Sequence, residues 1–240
     1  MSKEKDIIDI LGHELKTPAT VIKLNAQLLE KFSGQIDKDR DEYERYLSRI
    51  NQAIEEQLEL MEMLLTSSGI EGDNIELNIE KVDIKERIEL CIDNFSNQAK
   101  GKNIRIFNKI NSDTPSVLAD KIKIMEILNN LIGNAIKFTN KGSITIQTSF
   151  DNDYVSVIIK DTGIGIKEED IPKIWDKFYR VDNDCKTKYS DNINIVKPGG
   201  SGLGLYVVYN LIKMMKGDIE VESKYGKGSL FIFRLPVYKD

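Results

Sequence analysis

The chain has 240 residues, enough for one large domain or two smaller ones, and its 34 basic and 39 acidic side chains give a net charge of −5. No apolar run approaches the roughly 20 residues that cross a bilayer, and the first residues lack the apolar core of a secretory signal, so we expect a cytoplasmic protein without a membrane segment. The acidic balance argues against nucleic-acid binding, and two cysteines with a single histidine predict neither a disulfide framework nor a zinc site.

The first seventy residues have the pattern of two long helices joined by a polar turn at 33–41. Apolar residues recur every three or four positions over 7–32, and a second such stripe covers 43–65. Two helices of about 28 residues cannot bury both stripes against each other. A second copy of the chain is therefore expected to complete a four-helix bundle, which predicts a homodimer.

Beyond residue 70, alternating and helical patterns are interleaved. Alternation predicts strands at 75–80, 104–110, 144–148, 155–159, 218–222 and 229–234. Helical periodicity predicts helices at 84–99, 121–138 and 203–215. Because strands and helices do not alternate strictly, we expect an α+β domain with the helices on one face of a mixed sheet.

The only histidine, His13, stands early in the first predicted helix, in the run His-Glu-Leu-Lys-Thr-Pro. An unperturbed imidazole has a pKa of about 6.5 and is mostly neutral at pH 7, so a nucleophilic nitrogen is available, and Glu14 can accept the other ring proton. The ring of Pro18 collides with the carbonyl of Glu14, so a bend in the helix is expected. Taken alone, His13 is more simply explained as a surface histidine without a chemical role.

A second candidate is the polar face of the helix predicted over 121–138. Asn130, Asn134 and Lys137 are spaced i, i+4 and i+7, so their side chains share one side of that helix. Two carboxamides and a lysine suit a phosphate-bound magnesium ion. On spacing alone, an ordinary solvated helix face explains the same pattern.

Two glycine-rich turns complete the candidates. The run Asp-Thr-Gly-Ile-Gly-Ile at 161–166 follows a predicted strand, and its Asp can accept a hydrogen bond from an exocyclic amine. The run Gly-Gly-Ser-Gly-Leu-Gly-Leu at 199–205 opens a helix, whose free amide protons favour phosphate. Neither is a Walker loop or a dinucleotide fingerprint, and each alone also fits a purely structural turn.

In this order, these segments resemble the catalytic core of two-component sensor histidine kinases. The resemblance rests on His13–Pro18, Asn130–Thr139, Asp161–Gly165, Phe178–Arg180, Gly200–Gly204 and Gly226–Ser229. It implies a dimerisation and histidine-phosphotransfer domain over 1–70 and, over 71–240, an ATP-binding domain of the fold found in chaperones, gyrases and mismatch-repair proteins. The implied reaction is autophosphorylation of a histidine by ATP, followed by transfer to an aspartate of a response-regulator receiver domain.

The resemblance implies roles for three residues of the first domain. His13 would attack the γ-phosphate, Glu14 would orient and deprotonate its ring, and Thr17 would position water when the regulator is dephosphorylated. Only twelve residues precede His13, so the sensor is expected upstream in a longer chain or in a separate protein. The alternative is a nucleotide-binding regulator or phosphatase scaffold without autokinase activity.

In the second domain, the resemblance implies an ATP and Mg²⁺ site. Asp161 would accept from the adenine amine, Asn134 would bind magnesium, and Lys137 and Arg180 would meet phosphate. The other residues expected at the nucleotide are Asn130, Gly163, Gly165, Phe178, Gly200, Gly202, Leu203 and Gly204.

Three features are less usual for such a domain. Trp175 and Lys177 alter the segment before the Phe-Tyr-Arg run, and the lid expected over 181–198 is long. Of the two cysteines, Cys91 is expected in the core, because it lies among apolar residues of a predicted helix, and Cys185 is expected to be exposed in the lid.

Overall fold

The computed structural model of the protein describes residues 2–31, 40–72, 74–181 and 201–239. It begins with two long helices, α1 (Ser2–Lys31) and α2 (Arg40–Glu71), as the apolar stripes predicted. Helix α1 continues through Pro18 rather than ending there. Cys185 lies outside the described residues, as do most of the connection predicted over 33–41 and most of the expected lid. Within the described part, no helix is both long and apolar enough to cross a membrane.

The helical hairpin of α1 and α2 leaves much of its apolar surface uncovered. On α2, Ala53 and Leu60 are the buried apolar side chains. Several larger apolar side chains of the hairpin are exposed: Leu24, Leu47, Ile54, Leu58, Met61 and Leu65. The expectation that these two helices cannot bury both stripes against each other is therefore confirmed for the single chain.

The remainder of the chain forms a mixed five-stranded sheet with helices on one face, as predicted. Its elements are β1 (Ile79–Val82), α3 (Ile84–Gly101), β2 (Ile104–Lys109), β3 (Val117–Asp120), α4 (Lys121–Phe138), β4 (Gly142–Phe150), β5 (Tyr154–Asp161), α5 (Gly204–Met214), β6 (Asp218–Lys224) and β7 (Gly228–Pro236). The strand order is β2-β4-β5-β7-β6, in which β2 and β4 are parallel and the other neighbours antiparallel. The residues of β5 and β7 alternate between buried and partly exposed, so one face of the sheet carries the core.

One predicted strand has other bounds and one strand was missed, and both belong to a second, two-stranded sheet. The strand predicted over 75–80 is instead β1, which begins at Ile79 and pairs antiparallel with β3. Strand β3 was not predicted at all, because its four residues Val-Leu-Ala-Asp are too few to show alternation and three of them are buried.

Helix α4 is the central element of the core and carries the predicted polar face on its other side. Its residues Ile124, Ile127, Leu128, Leu131 and Ile132 are buried, and each such side chain contributes about 1.5–3 kcal/mol. The carboxylate of Asp120 caps the helix by accepting from two backbone N–H groups of its first turn. Cys91 is buried against this helix, and its Sγ lies 3.2 Å from Asn129 Oδ1, which confirms its expected place in the core.

Candidate nucleotide and phosphoacceptor site

The polar face of α4 lies at the centre of the candidate site. Asn130, Asn134 and Lys137 are all half-buried along one side of the helix, opposite its buried apolar residues. Asn130 Nδ2 donates to the carbonyl of Glu126 at 3.0 Å, which leaves Asn130 Oδ1 directed away from the helix backbone. The predicted sharing of one face is thus confirmed.

Asp161, at the end of β5, is a nearly buried carboxylate beside that helix. Its Oδ1 accepts from the backbone N–H of Gly163 at 2.7 Å. Burial raises the pKa of Asp161, and the backbone N–H groups of Gly163 and Ser229 partly offset that rise. A buried carboxylate of this kind suits an amine of a ligand. When the ligand binds, the carboxylate and the amine both lose their hydrogen bonds to water, and the bond between them replaces those that were lost.

The first glycine turn, after β5, is held tightly against the rest of the domain. A side chain at Gly163 would place its Cβ 2.5 Å from the carbonyl oxygen of Phe138, at the end of α4. Gly165 has a φ of +68°, and a Cβ there would lie 2.7 Å from the carbonyl carbon of Lys224. Both glycines are therefore required by backbone packing, whatever they also allow a ligand to do.

The second glycine turn lies against the segment that carries Arg180. Gly202 has a φ of +71° and accepts from the backbone N–H of Phe178 at 2.9 Å. A Cβ on Gly204 would collide with Asn130 Oδ1, so the start of α5 approaches the polar face of α4 closely. Leu203 is fully buried, so its side chain belongs to the core and only its backbone is placed to meet a ligand. Gly200 lies outside the described residues.

An ion pair joins the nucleotide side of the site to helix α1. Arg180 Nη1 donates to Glu14 Oε1 at 2.8 Å, and the Glu14 side chain is only 19% exposed. Burial lowers the pKa of Lys137, an effect that the charge of Glu14 opposes and that of Arg180 strengthens. The structure therefore brings Glu14, Lys137 and Arg180 into one electrostatic cluster.

The candidate nucleophile is on the same helix as this cluster. The backbone of His13 lies in α1 directly before Glu14, and its side chain is outside the described part of the structure. Thr17 is exposed one helical turn further on, on the same side of α1 as His13. Because Glu14 lies in the cluster with Lys137, the backbone of the candidate nucleophile is also close to the polar face of α4.

A contact that the sequence did not predict lies three residues before Arg180. Lys177 Nζ donates to Glu71 Oε1, in the last turn of α2, at 2.8 Å. The two residues are separated by 106 positions in the chain. No local pattern signals a pair at that separation.

Two family models match most of the chain. Residues 3–73 match the His Kinase A (phospho-acceptor) domain, and residues 119–239 match the histidine kinase-, DNA gyrase B- and HSP90-like ATPase. The sensor histidine kinase YclK of Bacillus subtilis is 32% identical over 236 residues, covering 98% of this chain and 47% of the relative. The sensor histidine kinase RcsC of Escherichia coli is 30% identical over 229 residues, covering 95% and 23%. The chain therefore spans less than half the length of each of these relatives.

Solved structures with the same fold include the Acinetobacter baumannii histidine kinase AdeS, with a TM-score of 0.65 and 24% identity, covering 95% of this chain and 98% of that one. Full-length ShkA in complex with AMPPNP, an analogue of ATP, has a TM-score of 0.67 and 24% identity, covering 93% and 46%. At these identities, the likeness concerns the fold.

Proposed function

The chain belongs to the two-component sensor histidine kinases, and we propose that it transfers the γ-phosphate of ATP to its own His13 and then to an aspartate of a response regulator. The observation that carries this proposal is the 2.8 Å contact between Arg180 and Glu14. It links the segment leading into the expected lid to the residue next to the phosphoacceptor. Residues 1–70 act here as the phosphotransfer domain and residues 71–240 as the ATP-binding domain.

The nucleotide site uses the buried carboxylate and the polar face of α4. Asp161 accepts from the adenine amine, and Lys137 meets the phosphates, whose charge compensates for the burial that lowers its pKa. Asn134, with Asn130 beside it, supplies the amide oxygen that a hard cation prefers. These two amides would hold a magnesium ion, which would supply positive charge to the phosphates.

The transfer step is a displacement at phosphorus. A neutral imidazole nitrogen of His13 forms the new N–P bond, the bond to the bridging oxygen breaks, and ADP leaves with that electron pair. The other ring N–H passes its proton to Glu14. Arg180 has further N–H donors besides the one that bonds Glu14, so it can hold a γ-phosphate oxygen at the same time and align it with the ring.

The exposed apolar surface of the hairpin supports a homodimer. Leu58, Met61 and Leu65 are 54%, 48% and 72% exposed, which is costly for neighbouring residues of one helix stripe. A second copy would cover them in a four-helix bundle, which also offers a docking surface for the regulator near His13. Sedimentation that finds only monomer at tens of micromolar would contradict this assembly.

We place the sensor upstream in a longer chain or in a separate protein.

Labelled ATP tests the proposal directly. With γ-³²P-ATP and magnesium, the protein is expected to gain a label that is stable in base and labile in acid, as a phosphohistidine is. His13→Ala should abolish the label, and Asn51→Ala, which changes an exposed residue of α2, should keep it. Nucleotide binding without label would instead favour the regulator or phosphatase scaffold, and an acid-stable label would indicate phosphorylation of a hydroxyl group.

A further inference from the structure

We propose that Lys177 is a positioning residue, which through its ion pair with Glu71 docks the ATP-binding domain on the end of α2 in the orientation that phosphotransfer needs. This inference rests on the proposed kinase function. It concerns a pair of residues outside the motifs that carry the family resemblance. The pair joins the two domains at a distance of 2.8 Å between Nζ and Oε1.

Lys177 is held in place from its own domain before it reaches α2. Its Nζ lies 5.2 Å from the centre of the Phe178 ring and 6.0 Å from that of Tyr206, a distance at which a cation is attracted to an aromatic face. Its side chain is three-quarters buried. Burial and the charge of the Glu71 carboxylate raise the pKa of Tyr206. The ammonium group is therefore preorganised to meet one carboxylate on α2.

The pair works together with the contact of Arg180 on the other helix. Lys177 binds the last turn of α2, whereas Arg180, three residues later, binds Glu14 on α1. Two attachments on different helices fix the orientation of the ATP-binding domain, whereas a single attachment would leave that domain free to rotate. Phe178 lies between them with a φ of +64°, held by its hydrogen bond to Gly202. The position of Lys177 therefore decides where Arg180 meets the phosphoacceptor helix.

The rest of the seam between α2 and α4 adds little attraction of its own. Lys123 Nζ lies 3.4 Å from Thr66 Oγ1, a long hydrogen bond, and its stronger contact is with Glu126 on its own helix at 2.8 Å. Ser67 Oγ and Glu126 Oε1 are buried there without a hydrogen-bond partner among the described residues, which costs free energy. Because the polar groups along this seam are poorly hydrogen-bonded, the ion pairs of Lys177 and Arg180 determine how the two domains dock.

Charge reversal and charge exchange test the proposal. Lys177→Glu and Glu71→Lys each place like charges opposite each other, and each should slow phosphohistidine formation at saturating ATP about five-fold, with the Kd for ATP changed less than two-fold. The double variant Lys177→Glu/Glu71→Lys should restore the rate to within two-fold of the original. Lysine suits the end of a helix, so Glu71→Lys should not unfold α2. Lys239→Glu is the control, because Lys239 pairs with Asp153 at 2.7 Å inside one domain.

A distance measurement separates this inference from the kinase proposal. Spin labels on cysteines introduced at the exposed positions Glu62 and Glu168, in a Cys185→Ser background, report the docking of the two domains without any reaction. The single variants should broaden the distance distribution and the double variant should narrow it again. If these changes occur but the original protein forms no phosphohistidine, docking stands and the kinase proposal fails. If phosphohistidine forms and the double variant restores neither rate nor distance, the role of Lys177 is overturned.

Discussion

Gly204→Ala should weaken ATP binding through a single neighbouring side chain. The φ of Gly204 lies outside the left-handed region, so its backbone can accept any residue. The obstacle is Asn130, whose Oδ1 occupies the space that the new Cβ needs and whose Cγ would lie 3.3 Å from it. Alanine therefore forces the Asn130 carboxamide to turn away from its present position.

The expected losses differ for stability and for affinity. Turning Asn130 gives up its bond to the Glu126 carbonyl, worth about 1 kcal/mol, but Ala is favoured over Gly in a helix by a similar amount. The free energy of unfolding should thus change by less than about 1 kcal/mol. A hydrogen bond to a charged phosphate or to its hydrated cation is worth about 1.5–3 kcal/mol, so the Kd for ATP should rise at least about ten-fold.

Calorimetric titration of ATP into four proteins isolates the mechanism. The original protein, Gly204→Ala, Asn130→Ala and the double variant form a cycle, with unfolding followed in denaturant for each. Once residue 130 is alanine, the collision is gone, so Gly204→Ala should have no further effect on affinity. An equal ten-fold loss in the Asn130→Ala background would show that the glycine acts on the nucleotide by another route and would refute the reasoning. Gly202→Ala serves as the contrast, because its positive φ should cost stability as well.

Four further variants test individual roles. Lys137→Met removes a buried charge, so it should raise the unfolding temperature of the nucleotide-free protein by roughly 2–4 °C, the shift that about 1 kcal/mol gives at this size, while weakening ATP binding. The pKa of Asp161 is raised in the folded state, so its contribution to stability is present at acid pH and is lost as the pH rises through the folded-state pKa. Asp161→Asn should therefore stabilise the nucleotide-free protein at pH 7 in thermal melts, and it should weaken ATP binding. Asn134→Ala removes the amide oxygen and should slow autophosphorylation at least ten-fold without changing the sedimentation coefficient, with Asn129→Ala as control, and normal labelling would remove its metal role. Thr17→Ala should keep autophosphorylation and slow dephosphorylation of a regulator, and an unchanged rate of phosphate release would remove that role.

Elements with complete local signals were predicted well from the sequence. Helix α4 begins at Lys121 and ends at Phe138, as predicted, because Asp120 caps its start and its apolar period continues unbroken to its end. The family itself was predicted from the order of the motifs and is confirmed by both family models. Strand β3 could not be predicted, because its identity depends on pairing with β1, some forty residues away.

In the candidate site, too, local features were predicted from the sequence and long-range contacts were not. The shared face of Asn130 and Asn134 follows from helix geometry and needs no tertiary information. The contact between Arg180 and Glu14 joins residues 166 positions apart, so only the folded chain reveals it. The motif leaves open whether Gly165 serves a ligand or a structural turn, and its positive φ and its approach to Lys224 show that it has a packing role.

The distribution of apolar burial fits the proposed function, in which the ATP-binding domain must approach the phosphotransfer domain and then withdraw from it. The fully buried apolar cluster of the ATP-binding domain is formed by residues between Val82 and Leu235, and Ile70 is the described apolar residue of the hairpin that packs against it. The ion pairs across the seam that this structure describes are those of Lys177 and Arg180, whose side chains are 25% and 41% exposed, so water and salt weaken them. Because few buried apolar contacts would be lost, undocking costs little and leaves the ATP-binding domain folded. The proposed reaction needs such a weak, charged contact, because in that proposal His13 first meets the nucleotide and is then uncovered for the regulator.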